Sequence, residues 1–499
     1  MGQEPLRGGD NMALNFLERL FPGWFLKRKQ QKNMLEEYKR NYDAAKKDRF
    51  RENWTPVNAS AEQTDGPFRN TLRARARSLE RNSDSAQSVI GALLRNVVGT
   101  GIKPQARVKK NDGSYYEEVN DKLEKEFKKW KKHKNCDISG QQTFYEIQEM
   151  ILRRRIVDGE ILIRKVTKSN SKYPLKLQAI EADMLDNASH YNKNETDNYI
   201  VGGIEVNDYY KPLAYYLYNQ SPDGFSGFNS KKIDAEEIIH LFKKTRPTQV
   251  RGISELAPVM DLIKDTGDYM EAELIAARIA ASFAAFVTKT GGNTRVGRTE
   301  TNEDDNKIEK IYPGMIEYLQ PGEDIQVADP GRDSEGVSDY MKVQDRRISS
   351  GMGLSYEVVS RDMSETNYSS ARQNLLEDRR TWIPVQNYMI NHFCQPIWED
   401  FVRHCALTDK VNLPGFWSNP DKYYRCEWIA PGWTWIDPEK DVKASKEEVK
   451  AGLKNISEIA AEQGRDWKEV LKQAAREKDF AEEIGLNLDV FGGVENNQS

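Results

Sequence analysis

The sequence predicts an α+β fold built from several subdomains, and three observations carry that prediction. Apolar residues recur at helical spacing early in the chain, first at Leu72, Ala76 and Leu79, then at Val89, Leu93, Leu94 and Val97. Short alternating runs bounded by turn residues fill 159–242, the pattern of half-buried strands. From 255 a long alanine-dense helix, a Gly/Pro-punctuated β segment and a second helix follow one another. A chain of 499 residues is too long for one ordinary core, so two to four subdomains are expected.

Taken in order, residues 1–52 form a charged, amphipathic N-terminal segment. Its MALNFLERLFPGWFL stretch is cut by Pro22-Gly23 and lacks the unbroken apolar core of a signal peptide. It reads as a docking helix for a neighbouring subunit rather than a membrane anchor. Asn, Ser, Pro and Gly mark 53–68 as a loop. Helices are expected over about 69–98, broken at Asn82-Ser83 with Ser83 or Asp84 as the second N-cap. A Gly99-Thr100-Gly101 turn closes that pair. Further helices are expected over 116–134 and 142–157, the latter with Phe144, Ile147, Ile151 and Ile156 on one face.

GEILIRKV (159–166), LKLQAIEADML (175–185), PLAYYLYN (212–219) and EEIIHLF (236–242) read as strands, and YIVGGIEVND (199–208) as one strand ending at Asn207-Asp208. Residues 255–287 read as one helix, in which Ala272, Ala276, Ala277, Ala280, Ala281 and Ala284 permit close backbone approach. GMIEYLQ and DIQVAD lie among the turns of 288–334. A helix over 335–353 ends at a glycine pair. A polar loop then leads into a long helix over 369–404, where Pro384 and Pro396 predict kinks. After the Trp417, Trp428, Trp433 and Trp435 segment, helices separated by Gly452 and Gly464 lead to a disordered tail at 491–499.

The bulk properties exclude several classes. Net charge is −4, so no general polyanion-binding signal exists and any nucleic-acid contact must be local. Cys136, Cys394, Cys405 and Cys426 lack CxxC spacing, which fits a reduced intracellular protein and not a disulfide scaffold. No apolar run approaches the ~20 residues of a spanning helix. GxxxxGK[ST], HExxH and GxSxG are all absent. VVGTGIKP looks like a phosphate cradle, but it follows a helix and ends in proline.

Two constellations could carry chemistry. His392, Cys394, His404 and Cys405 are near in sequence, yet their spacing matches no zinc finger and one apolar helix face explains most of them. Asp158, Glu160 and Lys165 border one strand, with Glu181 and Asp183 close behind. A carboxylate cluster beside a lysine is the minimum of a metal-dependent nuclease, whereas strand-edge carboxylates are ordinarily just solvated. Arg73, Arg75, Arg77, Arg81 and Arg95 could contact phosphate. With charge near zero, ion pairs to acids of a neighbouring subunit are the favoured reading.

A string of segments resembles the lambda-type family of tailed-phage portal proteins, in that family's order. It comprises RARSLERNS…NVVGTGIKPQ (75–105), DGEILIR (158–164), LQAIEADML (177–185), GGIEVND (202–208) and IIHLFKKTRPTQVRGISELAPV (238–259). It continues through EAELIAARIAASFA (271–284), PGMIEYLQPGEDI (313–325), GMGLSYEVVSRDMSETNYSSARQNLLEDRR (351–380) and FCQPIWEDF (393–401). Each is weak alone; together, from about 45 to 490, they are specific. Residues 1–44 match no landmark.

The resemblance implies a portal fold with wing, long stem helices, small β-containing clip, tunnel loop and helical crown. The wing would be 53–254, the stem 255–287, the clip 288–334, the return stem 335–353 and the tunnel loop 354–368. A long kinked helix with the Trp-rich wing segment would follow over 369–435, and the crown over 436–490. It implies a homo-oligomer, typically a dodecamer, at one capsid vertex of the virion, assembled in the host cytoplasm. Double-stranded DNA would pass non-specifically through the lumen. Terminase large subunit, head-completion or connector proteins, and capsid or scaffold protein would be partners, with no membrane, enzyme activity, cofactor or metal. Ser360, Arg361, Asp362, Ser364, Glu365, Thr366 and Asn367 would line the channel as a weakly gripping loop, with Arg361 balanced by Asp362 and Glu365. Lys342, Arg346 and Arg347 would either form a mild basic belt in the lumen or pair with a neighbour's acids.

Overall fold

A computed structural model describes residue 49 and residues 56–187, 198–220, 226–281, 285–289, 299–301, 307–309, 323–327, 336–433 and 438–483. The chain divides into two units, Met1–Ala59 and Ser60–Ser499, and nearly all described residues lie in the second. Apart from residue 49, the expected amphipathic segment at 1–52 lies outside the described residues, as do the GMIEYLQ piece and the C-terminal tail.

The first helix, α1 (Ala61–Asn82), starts earlier than expected, inside the stretch read as a loop. Ser60 and Gln63 form a reciprocal capping box, a strong start signal that overrides Gly66 and Pro67. The missing Pro67 donor is offset locally by a two-pronged Glu62–Arg69 pair at 2.9 and 2.6 Å that spans the proline. Ser83 caps α2 (Asp84–Val97), accepting from the Ala86 N–H at 3.3 Å. Val89, Leu93, Leu94 and Val97 are buried on its inner face.

Gly101 has φ +100°, and a Cβ there would lie 2.4 Å from the Tyr145 ring. The Gly-Thr-Gly turn is therefore a packing device. It aims strand β1 (Lys103–Ala106) antiparallel to the distant β13 (Cys426–Ile429), with Lys103 opposite Ile429.

Helices α3 (Glu117–Trp130), α4 (His133–Cys136) and α5 (Phe144–Val157) surround the main core. Thr143 and Glu146 make the capping box of α5. Phe127, Trp130, Phe144, Phe393, Trp398 and Phe401 are all buried, with ring centroids 5.2–5.7 Å apart in the pairs Phe127–Phe401, Phe144–Phe393 and Trp398–Phe401. Edge-to-face and offset contacts of this kind add to plain area burial.

Two small antiparallel sheets follow. Strand β2 (Glu160–Thr167) lies between β3 (Leu175–Ile180) and the later β8 (Ile238–Phe242). The second sheet has the order β4 (Tyr199–Val201), β5 (Ile204–Val206), β6 (Pro212–Gln220) and β7 (Ser226–Asp234). The stretch 199–208 is thus a hairpin and not one strand. Gly202 and Gly203 have φ +55° and +82°, the paired left-handed residues that a two-residue hairpin turn needs. Strand β7 (SGFNSKKID) has little apolar alternation, and its pairing with β6 supplies what its own pattern lacks.

Helix α6 (Met260–Ala281) stops short of the expected 287, and a strand, β9 (Ala285–Lys289), takes over. The β-branched and aromatic residues of AFVTK explain the switch. Strand β9 pairs with β12 (Glu323–Val327), and β10 (Thr299–Thr301) with β11 (Lys307–Glu309). Helix α7 (Val337–Gly351) returns against α6, with the Tyr269 and Tyr340 rings 4.6 Å apart. Met270, Leu274 and Ile275 of α6 and Val343 of α7 are left exposed.

A short helix, α8 (Tyr356–Ser360), occupies the first part of the expected 354–368 loop. Helix α9 (Tyr368–Met389) accommodates Pro384 internally. It passes through a π-helical turn (Ile390–Cys394) into α10 (Gln395–Leu407). Pro396 cannot donate to the turn before it, and widening that turn absorbs the defect without a break. The C-terminal helices are α11 (Pro438–Lys450), α12 (Ile456–Glu462) and α13 (Trp467–Glu483). No described helix is long and apolar enough to cross a membrane.

Candidate functional site

The polar segment between α8 and α9 is tightly structured by its own short side chains. Ser355 donates to Asp378 through N–H and hydroxyl at 2.8 and 2.6 Å, fixing the entry to α8. Arg361 ends α8 in the left-handed region at φ 59°, a strained choice for a residue with a Cβ. Asp362 accepts from the Ser364 N–H at 3.0 Å and from the Tyr356 hydroxyl at 3.2 Å. Thr366 donates to Glu357 at 3.0 Å, and Asn367 caps α9 by accepting from the Ser370 N–H at 2.9 Å. Asp and Asn side chains folding back on nearby N–H groups make a turn that holds its shape without a core. The Asp362 carboxyl accordingly sits below the usual carboxylate range, first through the Ser364 hydrogen bonds.

Glu365 ties the loop to α7. Its carboxylate accepts from Lys342 Nζ at 2.6 Å and from an Arg346 Nη2 at 3.3 Å. The lysine hydrogen bond holds the Glu365 carboxyl below its ordinary range. Arg346 also covers the Tyr356 ring at 5.4 Å, and Arg347 donates to Gln344 at 3.2 Å. Lys342 and Arg346 therefore both meet a carboxylate of their own chain.

Asp362 and Glu365 engage Tyr356, Ser364, Lys342 and Arg346, whereas Arg361 lies near Arg95 of α2. Burial and then repulsion from Arg361 lower the Arg95 pKa. The sequence separates these two arginines by 266 positions, and no local pattern could have joined them.

The acidic constellation has a different character. Asp158 and Glu160 are 1% and 0% exposed, so they are not solvated strand-edge groups. Gly159 (φ +88°) and Gly252 pack backbone to backbone. A Cβ on Gly159 would lie 2.2 Å from the Ile253 carbonyl carbon, and one on Gly252 2.2 Å from the Gly159 oxygen. This crossing delivers Arg251 to Glu160.

Glu160 accepts from Arg251 at 2.6–2.9 Å, from Arg73 at 3.0 Å, from the Gly252 N–H at 2.9 Å, and faces His240 Nε2 at 3.0 Å. Arg77 grips Asp158 with two contacts of 2.8 Å and reaches Asp183 at 2.6 Å. Arg73 meets Asp183 at 3.0 Å, Glu181 lies 3.7 Å from Arg77, and Lys165 pairs with Asp400 at 2.8 Å.

Burial pushes the Glu160 carboxyl up, but Arg251 and His240 outweigh it and hold it well below the usual range. Burial keeps His240 below its ordinary pKa despite Glu160. Asp158, Glu160 and Asp183 are all committed to guanidinium groups and Lys165 is drawn away to Asp400, so the cluster is an ion-paired junction and not a metal cradle. The arginines correct a second expectation: Arg73 and Arg77 pair inside the chain, while Arg75 and Arg81 are exposed.

The histidine–cysteine set is not brought together as a ligand group. Cys394 accepts from Gln148 at 3.5 Å, His404 engages the Asp400 carbonyl and Thr167, and His392 packs on Tyr388 at 4.5 Å. Among the described residues no group of three or more His, Cys, Asp or Glu could hold a metal ion.

Residues 47–386 match the family described as phage portal protein, lambda family. The chain is 27% identical over 458 residues to a probable portal protein of Halomonas phage phiHAP-1, covering 90% of this chain and 88% of that one. It is 22% identical over 465 residues to portal protein B of Escherichia phage lambda, covering 85% and 86%. Among solved structures, it resembles a chain of the neck of a native gene transfer agent particle computed with C12 symmetry. That likeness has TM-score 0.43 and 13% identity, and covers 78% of this chain and 93% of the other.

Proposed function

Because the chain belongs to the lambda family of phage portal proteins, we propose that it forms a ring, a dodecamer, at one capsid vertex and passes double-stranded genome DNA through its axis. Family membership over residues 47–386 is the observation that carries this reading. In it the wing is 53–254, α6 and α7 are the stem pair, 288–334 the clip, 354–368 the tunnel loop and 436–490 the crown. Terminase large subunit and later connector proteins dock at the clip, and capsid or scaffold protein at the periphery. The role is structural, and packaging energy comes from the terminase.

The loop chemistry supports a conduit. Each neutralised phosphate adds affinity for DNA, and tight binding opposes sliding. Glu365 already occupies Lys342 and Arg346, so the loop and α7 together present a moderated basic surface. The exposed Met270, Leu274, Ile275 and Val343 side chains give the helix pair an apolar surface suited to a neighbouring subunit.

The test is the solution mass of the purified protein, followed by negative-stain imaging of the same sample. A closed ring of 57.4 kDa subunits with an open axial channel supports the reading. A persistent compact dimer that cuts DNA on addition of metal overturns it.

A further inference from the structure

Helix α13, helix α3 and strand β1 line a half-open cleft of about 900 Å³, none of whose lining residues belongs to the 361–367 loop or the Glu160 junction. Its walls carry eight basic side chains against four carboxylates, an excess of four positive charges in a chain of net charge −4. The carboxylates are already engaged. Glu124 accepts from the Ala106 N–H at 2.9 Å and Asp466 from Gln105 at 2.6 Å. Asp121 lies 3.8 Å from Lys472, and Glu469 pairs with Lys128.

The cations are not all satisfied in return. Lys103, Lys125, Arg465 and Arg476 make no ion pair among the described residues. Lys131 has only the Tyr145 hydroxyl at 3.3 Å and the face of the same ring at 4.4 Å. Burial, then repulsion from Lys103 and Lys128, holds Lys131 below the ordinary lysine pKa. Glu469 is held below the carboxylate range first by its Lys128 hydrogen bond, with Lys103 and Lys131 contributing. Lys103, Lys128 and Lys131 thus line one cleft with Glu469, which pairs with Lys128 alone, so among the described residues two ammonium groups are left without a counter-ion.

We propose that this cleft binds a phosphate group, carried by a small phosphate compound or a phosphodiester backbone, between Lys103, Lys128 and Lys131, with Glu469 as a displaceable internal counter-ion. These three groups are compact ammoniums, which suit a multiply charged tetrahedral oxyanion. A carboxylate-bearing peptide favours the flat, two-pronged guanidinium. The wall also carries Arg465 and Arg476, exposed like Lys128 and Glu469. The volume falls within the range of small-ligand sites, roughly 300–1,000 Å³. The site stands independently of the ring reading above.

The test uses the full chain at low salt, with pyrophosphate, a short single-stranded oligonucleotide and poly-glutamate as probes, read by calorimetry and fluorescence anisotropy. Pyrophosphate and the oligonucleotide should bind. The double variant Lys103→Gln/Lys131→Gln should weaken both at least tenfold, while Lys450→Gln on α11 leaves them unchanged. Glu469→Gln should tighten binding several-fold, an opposite sign that loss of folding cannot produce. Tighter binding of the oligonucleotide, with a steeper salt dependence, assigns the backbone as source; equal binding assigns a small phosphate. Failure of both phosphate probes to bind overturns the proposal. So does poly-glutamate binding as tightly as an oligonucleotide of equal charge, or affinity indifferent to Lys103 and Lys131.

Discussion

Arg251 and Glu160 are both fully buried, and their charged ends meet at 2.6 Å where Gly159 and Gly252 cross. The pair joins strand β2 to the segment entering α6, while Arg73 brings α1 to the same carboxylate. Buried charge is costly to install and more costly to half-remove. Glu160→Gln should therefore destabilise the protein by about 3–5 kcal/mol, because Arg251 and Arg73 lose their shared counter-ion. Arg251→Met should fall in a similar range. The double variant should cost clearly less than the sum, and urea unfolding of all four proteins measures that coupling.

Gly159→Ala tests the crossing itself. The new methyl would meet Ile253 at 2.2 Å, on a backbone at φ +88° that alanine disfavours. Neither partner is a flexible side chain, so the two segments must separate. A loss of several kcal/mol is expected, about as large as that of the charge variants. A thermal melt within a degree of the parent would show that the backbones can part freely.

How much of this was legible in the sequence follows from range of interaction. Helix starts with a local chemical signature were readable, as with Ser83 and the Val89, Leu93, Leu94, Val97 face. The Ser60–Gln63 box was equally local, but Gly66 and Pro67 masked it. Periodicity placed Asp158 and Glu160 beside a strand. It could not say that they were buried: Arg154 is four positions from Asp158, but the pairs Arg77–Asp158, Arg73–Glu160 and Arg251–Glu160 span 81 to 91 positions. The loop residues 360–367 were legible as polar and turn-forming. Their tie to Lys342 and Arg346 was not, since it depends on how α7 returns.

His240 makes stability depend on pH. Its pKa in the folded protein is lowered by burial, so folding holds it neutral. The stability this contributes is complete above the unfolded value of about 6.5 and is lost as pH falls toward the folded value, by up to about 1.4 kcal/mol per pH unit for one proton. Glu160, also lowered, adds a loss only below the unfolded glutamate value of about 4.3. The His240 share of stability should therefore fall between pH 7 and pH 5, so His240→Gln should lose less stability than the parent over that range. Glu124, Asp345 and Asp378, whose carboxyls burial raises, contribute with the opposite sign. His392, likewise lowered by burial, leaves a residual slope of the same sign.

Glu365→Gln should free the 361–367 segment without disturbing the core. The Lys342 and Arg346 contacts to Glu365 lie at the surface, so global stability should hardly move. Amide exchange in 361–367 should accelerate at least threefold, while α8 keeps its protection because Val359 is buried and Ser355 remains bonded to Asp378. Equal exchange in both proteins would show that the short-range turn bonds suffice to hold the loop.

Replacing 361–367 with a Gly/Ser linker of equal length tests the proposed channel role of the loop apart from assembly. Removing 356–368 outright would also remove Val359 from the core, and any loss of function would then be ambiguous. The linker leaves α8 in place and withdraws Arg361, Asp362, Glu365 and the Asn367 cap. Losing that cap costs about 1 kcal/mol at the start of α9, too little to unfold it. Rings should form at the parental mass while DNA packaging or retention falls by at least tenfold. Rings that fail to close would relocate the segment to a subunit interface. Rings that package normally would remove the loop from any role in handling DNA.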